Sequence, residues 1–219
     1  MGNVGAVSSV RYVEPNRTPV TPVAIREALA RAWTRATGAP PSSGVLDAIT
    51  AQANLETGRG TSMVQYNFGG IKGVGPTGLS TRASTIEVEG GKTKHIVDGF
   101  RAYDSLDAGA LDYVRLVRGQ FGAALARADA GDLDGFAHEL KVAHYYTADE
   151  KDYARLLHAV SGTPYDGGPS AASSTDAKSD GATTPADGFA RAGDIVRMLD
   201  SVRTSMMKIA APNEGEDDG

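Results

Sequence analysis

Ala51-Gln52-Ala53-Asn54-Leu55-Glu56-Thr57-Gly58-Arg59-Gly60 is the stretch on which the reading of this chain turns. Val45, Leu46, Ile49 and Ala53 keep the spacing of a helix that opens near Ser43, and Gly58 and Gly60 stop it just beyond Glu56. At about 100° per residue, Glu56 falls within ~20° of Ile49 around the helix axis. The apolar face therefore carries a carboxylate in its last turn. Partial desolvation and the negative end of the helix dipole both disfavour the anion there. Both effects favour the protonated form, which a general acid working near neutral pH requires. By periodicity alone, a glutamate turned outward to solvent fits at least as well, because most glutamates are surface residues.

Working outward, Thr21-Pro22 reads as an N-cap followed by proline at the first helical position, and Ile25, Leu29 and Trp33 form one apolar face of a helix ending near Gly38. Pro40-Pro41 breaks the chain before the next helix. Residues 1–20, rich in Gly, Ser, Val and Pro, read as an extended arm. Downstream of Glu56 comes a glycine-rich loop, from Tyr66-Asn67-Phe68-Gly69-Gly70 to Gly78. Thr85–Glu89 alternates polar and apolar, Gly90-Gly91 supplies a two-residue turn and Lys92–Val97 returns, which is a small β-hairpin.

Helical spacing resumes with Leu106, Ala110, Tyr113, Val114 and Val117, then over Leu133–Val142, then over Lys151–Val160 with Asp149 as a cap. These elements predict an α+β domain, predominantly α, over residues 21–162, with the hairpin inserted as a small lobe. Residues 163–187 shift to Gly, Ser, Ala, Thr, Asp and Pro and read as a flexible linker. In 188–211, Phe189, Ala192, Val196, Leu199, Val202, Met206 and Ile209 recur at helical spacing, so a single amphipathic helix is expected, with a protein partner as one use for its apolar face. Residues 212–219 form an acidic tail.

The bulk numbers narrow the function classes. A net charge of −5 gives no support to nucleic acid or an anionic membrane as the main partner. With no cysteine, thiol catalysis, disulfides and thiolate metal sites are excluded. His95, His138, His144 and His158 show no metal-ligand spacing, so neither a metal nor a cofactor is expected. No run approaches the ~18 apolar residues of a spanning helix, so no membrane insertion is expected. Residues 1–19 lack the basic start and apolar run of a secretory signal.

Two further groups carry chemistry. Thr85, Glu87 and Glu89 share one face of their strand, opposite Ile86 and Val88. A carboxylate there suits the second role in glycoside hydrolysis, and an exposed charged strand face that discourages aggregation suits it equally. The aromatics Tyr66, Phe68, Tyr103, Tyr145 and Tyr146 offer faces for sugar rings, and Asn67 offers hydrogen bonds. Phe68 and Tyr103 serve as well as core anchors, and for Phe68 that reading is the stronger.

Taken together, Ala51–Gly60, the run Tyr66-Asn67-Phe68-Gly69-Gly70-Ile71-Lys72-Gly73, then Gly99–Ser105, Asp112-Tyr113 and Tyr145–Asp149 with Tyr153 resemble the glucosaminidase domain of glycoside hydrolase family 73, in the family's order. That family includes the hydrolase domain of the flagellar rod-assembly protein and several autolysins. The resemblance covers about residues 22–162. It implies a lysozyme-like fold and cleavage of the β-1,4 bond between N-acetylglucosamine and N-acetylmuramic acid in peptidoglycan strands. It places Glu56 on the general acid and Glu87 on the second glutamate of the hairpin lobe. Tyr145, with Tyr146 as its close competitor, falls on the tyrosine before an Ala-Thr-Asp element, where this chain has Tyr-Tyr-Thr-Ala-Asp instead. Tyr66, Asn67, Phe68, Tyr145 and Tyr146 are thereby the expected substrate contacts.

A muramidase or lytic transglycosylase on the same polymer is the nearest alternative, and a wall-binding assembly component of a secretion, flagellar or phage-like machine is another. The expected location is the periplasm or cell wall, reached by a route without a classical signal peptide, or a particle.

Overall fold

The computed structural model describes residues 10–89, 92–146 and 148–162, and only the backbone of 83–89 and 92–96. The expected linker, amphipathic helix and acidic tail lie outside the described residues.

Five of the six described helices begin where a short polar side chain satisfies a free backbone N–H. Thr21 Oγ1 accepts from Ala24 N at 3.1 Å, and α1 (Pro22–Thr37) ends on Gly38 with φ 81°. Ser42 Oγ accepts from Val45 N and opens α2 (Ser43–Glu56). Ser105 caps α3 (Leu106–Gln120), Asp132 caps α5 (Leu133–Val142) and Asp149 caps α6 (Glu150–Ser161). Each such bond is worth about 1 kcal/mol to its helix. Between α3 and α5 lies α4 (Gly122–Asp129), which the sequence reading passes over. It has no side-chain cap, and Ala124 and Ala128, its buried residues, give only a faint apolar period.

The core gathers around α2. From Ala48 to Glu56 every residue of this helix is buried, so it has no solvent face in its second half. That is the signature of a central helix rather than an amphipathic surface one. Ala48, Ala51 and Ala53 keep it slim, and α1, α4 and α6 close on it. Phe68, Tyr113, Phe136, Leu140, Tyr153 and Leu157 fill the same cluster. The architecture is thus α+β and predominantly helical, as the sequence predicts.

The hairpin is longer than the sequence alternation suggests. β2 (Leu79–Glu89) pairs antiparallel with β3 (Lys92–Arg101), from Ser80 opposite Arg101 to Glu89 opposite Lys92. Its base was hidden because Leu79–Ser84 follows a glycine-rich loop and lacks strict alternation.

A larger departure concerns the expected N-terminal arm. Residues Arg11–Val13 form β1, a strand parallel to β2, giving the sheet order β1-β2-β3. The chain then runs along the loop that follows α2. Thr18 N donates to Met63 O (3.0 Å), Val20 N to Gly60 O (3.2 Å) and Gln65 N to Asn16 O (3.0 Å). Gln65 Nε2 donates to Glu14 O, and Tyr66 N to Thr18 Oγ1. These bonds hold Gln65 and Tyr66 at φ 50° and 53°, a region that costs non-glycine residues energy unless neighbours enforce it.

Gly60 is where arm and loop come closest. Its φ is 84°, and a Cβ there would lie 2.2 Å from Val20 O. Gly60→Ala is expected to destabilise the domain by about 2–4 kcal/mol, read as a drop in Tm of roughly 5–15 °C. An unchanged Tm would show that the arm does not press on this loop.

Candidate active site

Glu56 ends α2 at 8% exposure. The turn beyond it is tightly tied. Thr57 sends both its N and its Oγ1 to Ala53 O (3.1 and 2.6 Å), Gly60 N donates to Thr57 Oγ1 (3.0 Å) and Arg59 N to Asn54 O (2.7 Å). The carboxylate is therefore carried on a fixed helix end, with burial and the helix dipole both opposing its charge.

Three buried tyrosines from three elements lie near enough for the Glu56 charge to act on them. Tyr113 comes from α3, Tyr145 from the turn after α5 and Tyr153 from α6. Burial pushes each phenol well above its ordinary range, and the Glu56 charge beside it adds in the same sense. All three are neutral hydroxyls at any working pH. One turn before Glu56 stands Gln52, 0% exposed, whose Oε1 accepts the Tyr113 hydroxyl. The Gln52 amide also faces the Tyr153 oxygen and acts on that phenol in the opposite sense to burial, although the two lack the geometry of a full hydrogen bond.

The expected contacts separate on inspection. Tyr145 is within reach of the Glu56 charge; it lies edge-on to Phe121 at 5.2 Å, and its buried hydroxyl has no hydrogen-bond partner among the described residues. Tyr146 turns away. Its ring stacks on Tyr153 at 3.9 Å and its hydroxyl donates to Ala137 O at 3.0 Å. Phe68 is wholly buried, 5.9 Å from the Tyr113 ring, so neither of its faces is open to a sugar. Asn67 is spent on the loop: Nδ2 donates to Ile71 O and Arg101 O, and Oδ1 accepts from Gly69 N and Ile71 N. Tyr66 remains half-buried against the core.

Glu87 lies in β2 opposite Lys94, two pairs short of the last pair, Glu89 with Lys92; its side chain is outside what the structure describes. Nearer the base, Asp98 pairs with Lys72. Burial alone would raise its carboxyl, but hydrogen bonds from Lys72 and from Gly99 N, with the Lys72 charge, outweigh that and hold it below the usual carboxylate range. At the hairpin base Asp112 Oδ2 accepts from Tyr103 OH (2.6 Å) and Arg101 Nη1 (2.9 Å), which locks β3 to α3.

The sequence reading names no role for Gln52, Tyr113, Tyr153, Lys72 or Asp98. For Gln52 a signal existed: it sits four residues before Glu56 and hence on the same helix face. Tyr113 and Tyr153 lay within the resemblance. Nothing local marks Asp98.

A buried acid at the end of a central helix, faced by tyrosines and flanked by a hairpin lobe, defines a lysozyme-like glycoside hydrolase domain. The catalytic domain of the autolysin Auto from Listeria monocytogenes shares the fold, with a TM-score of 0.50 at 22% identity over 66% of this chain and 85% of that one. The chain belongs to the glucosaminidase family described as mannosyl-glycoprotein endo-β-N-acetylglucosaminidase, whose model matches residues 33–165. A peptidoglycan hydrolase mutant from Sphingomonas sp. A1 is 34% identical, with 64% of this chain and 89% of that one covered and a TM-score of 0.48. The peptidoglycan hydrolase FlgJ of Pseudomonas aeruginosa is 37% identical over 120 residues, 51% of this chain. The match spans only 30% of that relative's length.

Proposed function

We propose that the chain is a peptidoglycan hydrolase acting in the periplasm or cell wall, cutting β-1,4 bonds of the glycan strand as an endo-β-N-acetylglucosaminidase with Glu56 as general acid. The observation that carries this is the placing of Glu56, buried on a fixed helix end among three neutral phenols. Two relatives named as peptidoglycan hydrolases support the polymer, and the family's description supports the bond.

In this reading Glu56 gives its proton to the leaving glycosidic oxygen as the bond to the anomeric carbon breaks. The oxocarbenium-like centre is then met either by water activated at Glu87 or by the substrate's own acetamido oxygen, the latter returning a product of retained configuration. Tyr145, buried edge-on to Phe121, forms part of the wall behind the acid rather than a contact to the sugar. Tyr66 supplies an aromatic edge of the cleft.

The test is a digest of isolated peptidoglycan, with fragments reduced by borohydride and identified by mass spectrometry. Reduced N-acetylglucosamine ends are expected. Reduced muramic-acid ends would make the enzyme a muramidase, and anhydro ends a lytic transglycosylase. No release by folded protein would favour a wall-binding assembly component.

A further inference from the structure

The role of Glu56 leaves open why a glutamine stands directly behind it. Gln52 and Glu56 rise from one face of α2, about 5–6 Å apart at Cβ. At 0% exposure Gln52 touches no substrate. Its neighbours along the helix are Ala48, Ala51, Ala53 and Leu55, so a hydrophobic residue would fit the position without the cost of burying an amide. What the amide does instead is accept the hydrogen bond of the Tyr113 hydroxyl at Oε1.

A phenol has one proton to give. With that proton committed to Gln52, Tyr113 has only lone pairs to offer its other neighbours, and lone pairs do not stabilise an anion. Released from Gln52, the same hydroxyl would be free to donate to the carboxylate and to favour its charged form.

We propose that Gln52 is a positioning residue that withholds the Tyr113 proton from Glu56 and so keeps the acid protonated until the glycosidic oxygen takes its proton. This rests on Glu56 being the general acid. Among the described residues, the ionisable groups on which the Glu56 charge acts include Tyr113 from α3, Tyr145 from the turn after α5 and Tyr153 from α6, all neutral. Tyr153 is placed to report on the same amide, since its oxygen faces the other side of Gln52.

The experiment is the pH dependence of kcat/KM on isolated peptidoglycan for wild type, Gln52→Leu, Tyr113→Phe and the double variant. The alkaline limb marks the loss of the Glu56 proton. In Gln52→Leu it should move down by about one pH unit, a tenfold loss of the protonated fraction above the limb. Adding Tyr113→Phe should return it, because the liberated hydroxyl is gone. Tyr113→Phe alone should leave the limb in place. A Gln52→Leu limb that stays put while Tm falls would reduce Gln52 to a structural residue and overturn the proposal.

Gln52→Met, close in volume, replaces the leucine variant if that one does not fold. An upward shift in Tyr113→Phe alone overturns the proposal without any variant at position 52, since it would mean that Tyr113 already donates to Glu56. Glu56→Gln separates the two claims. If it stays active, the reading of the acid fails; if it is inactive while the Gln52→Leu limb is unmoved, only the role of Gln52 fails.

Discussion

Glu56→Gln is expected to lower peptidoglycan hydrolysis by about a thousandfold or more, within the range that a positioned general acid contributes. The amide matches the carboxyl in shape but has no proton to transfer to a glycosidic oxygen. The substitution should leave Tm unchanged or slightly raised. Glu56 is 8% exposed at the C-terminal end of a helix, where a neutral group costs less to bury than an anion. Loss of activity together with retained stability is the pattern of a residue kept for chemistry. Activity within tenfold of wild type, in protein of native Tm, would remove Glu56 from the mechanism.

The second large effect falls on stability. Asn67→Ala should destabilise the domain by about 3–5 kcal/mol, because it removes four hydrogen bonds and takes the side-chain acceptor from the Gly69 and Ile71 amide hydrogens. A Tm lowered by roughly 8–15 °C is the expected reading. Asn67→Asp keeps the acceptor toward Gly69 and Ile71 but sets a carboxylate against the carbonyls of Ile71 and Arg101, so it should fall between wild type and alanine or lower. The loop joins α2 to the hairpin, and Tyr66 sits beside Asn67, so lost order there also reaches the cleft. If Asn67 instead reads a sugar, the alanine variant would raise KM at unchanged Tm, and thermal melts with initial rates decide between them.

Much of the helical frame is legible in the sequence because its signals are local. Thr21, Ser42, Ser105, Asp132 and Asp149 each cap the helix they precede, and capping needs only a few consecutive residues. The place of Glu56 seven residues beyond Ile49 marks it as a carboxylate on the apolar face, and it is indeed buried, whereas its chemical role is implied by the resemblance alone. What escapes is whatever depends on partners distant in the chain. α4 has two buried alanines and no cap, and β1 is three residues long and exists as a strand only because β2 accepts it.

The site divides the same way. Asn67 and Phe68 look from the sequence like groups that could meet a ligand, because amides and aromatic rings do so often. The structure commits the amide to four backbone partners and the ring to the core. Tyr145 and Tyr146 are adjacent and chemically identical, so no local rule separates them. Fold geometry does: Tyr145 packs edge-on to Phe121, while Tyr146 stacks on Tyr153 and bonds to Ala137 O.

The pairing of Arg11 with Leu79 joins positions nearly seventy residues apart. Closing so long a span is entropically disfavoured until the intervening chain is already compact, so contacts of this kind form late. The capped helices and the turn after α2 need only near neighbours and can precede it. The order of assembly therefore runs from the acid outward. A body that already holds Glu56 in place comes first, and the N-terminal segment joins residues 60–66 as one of the final events.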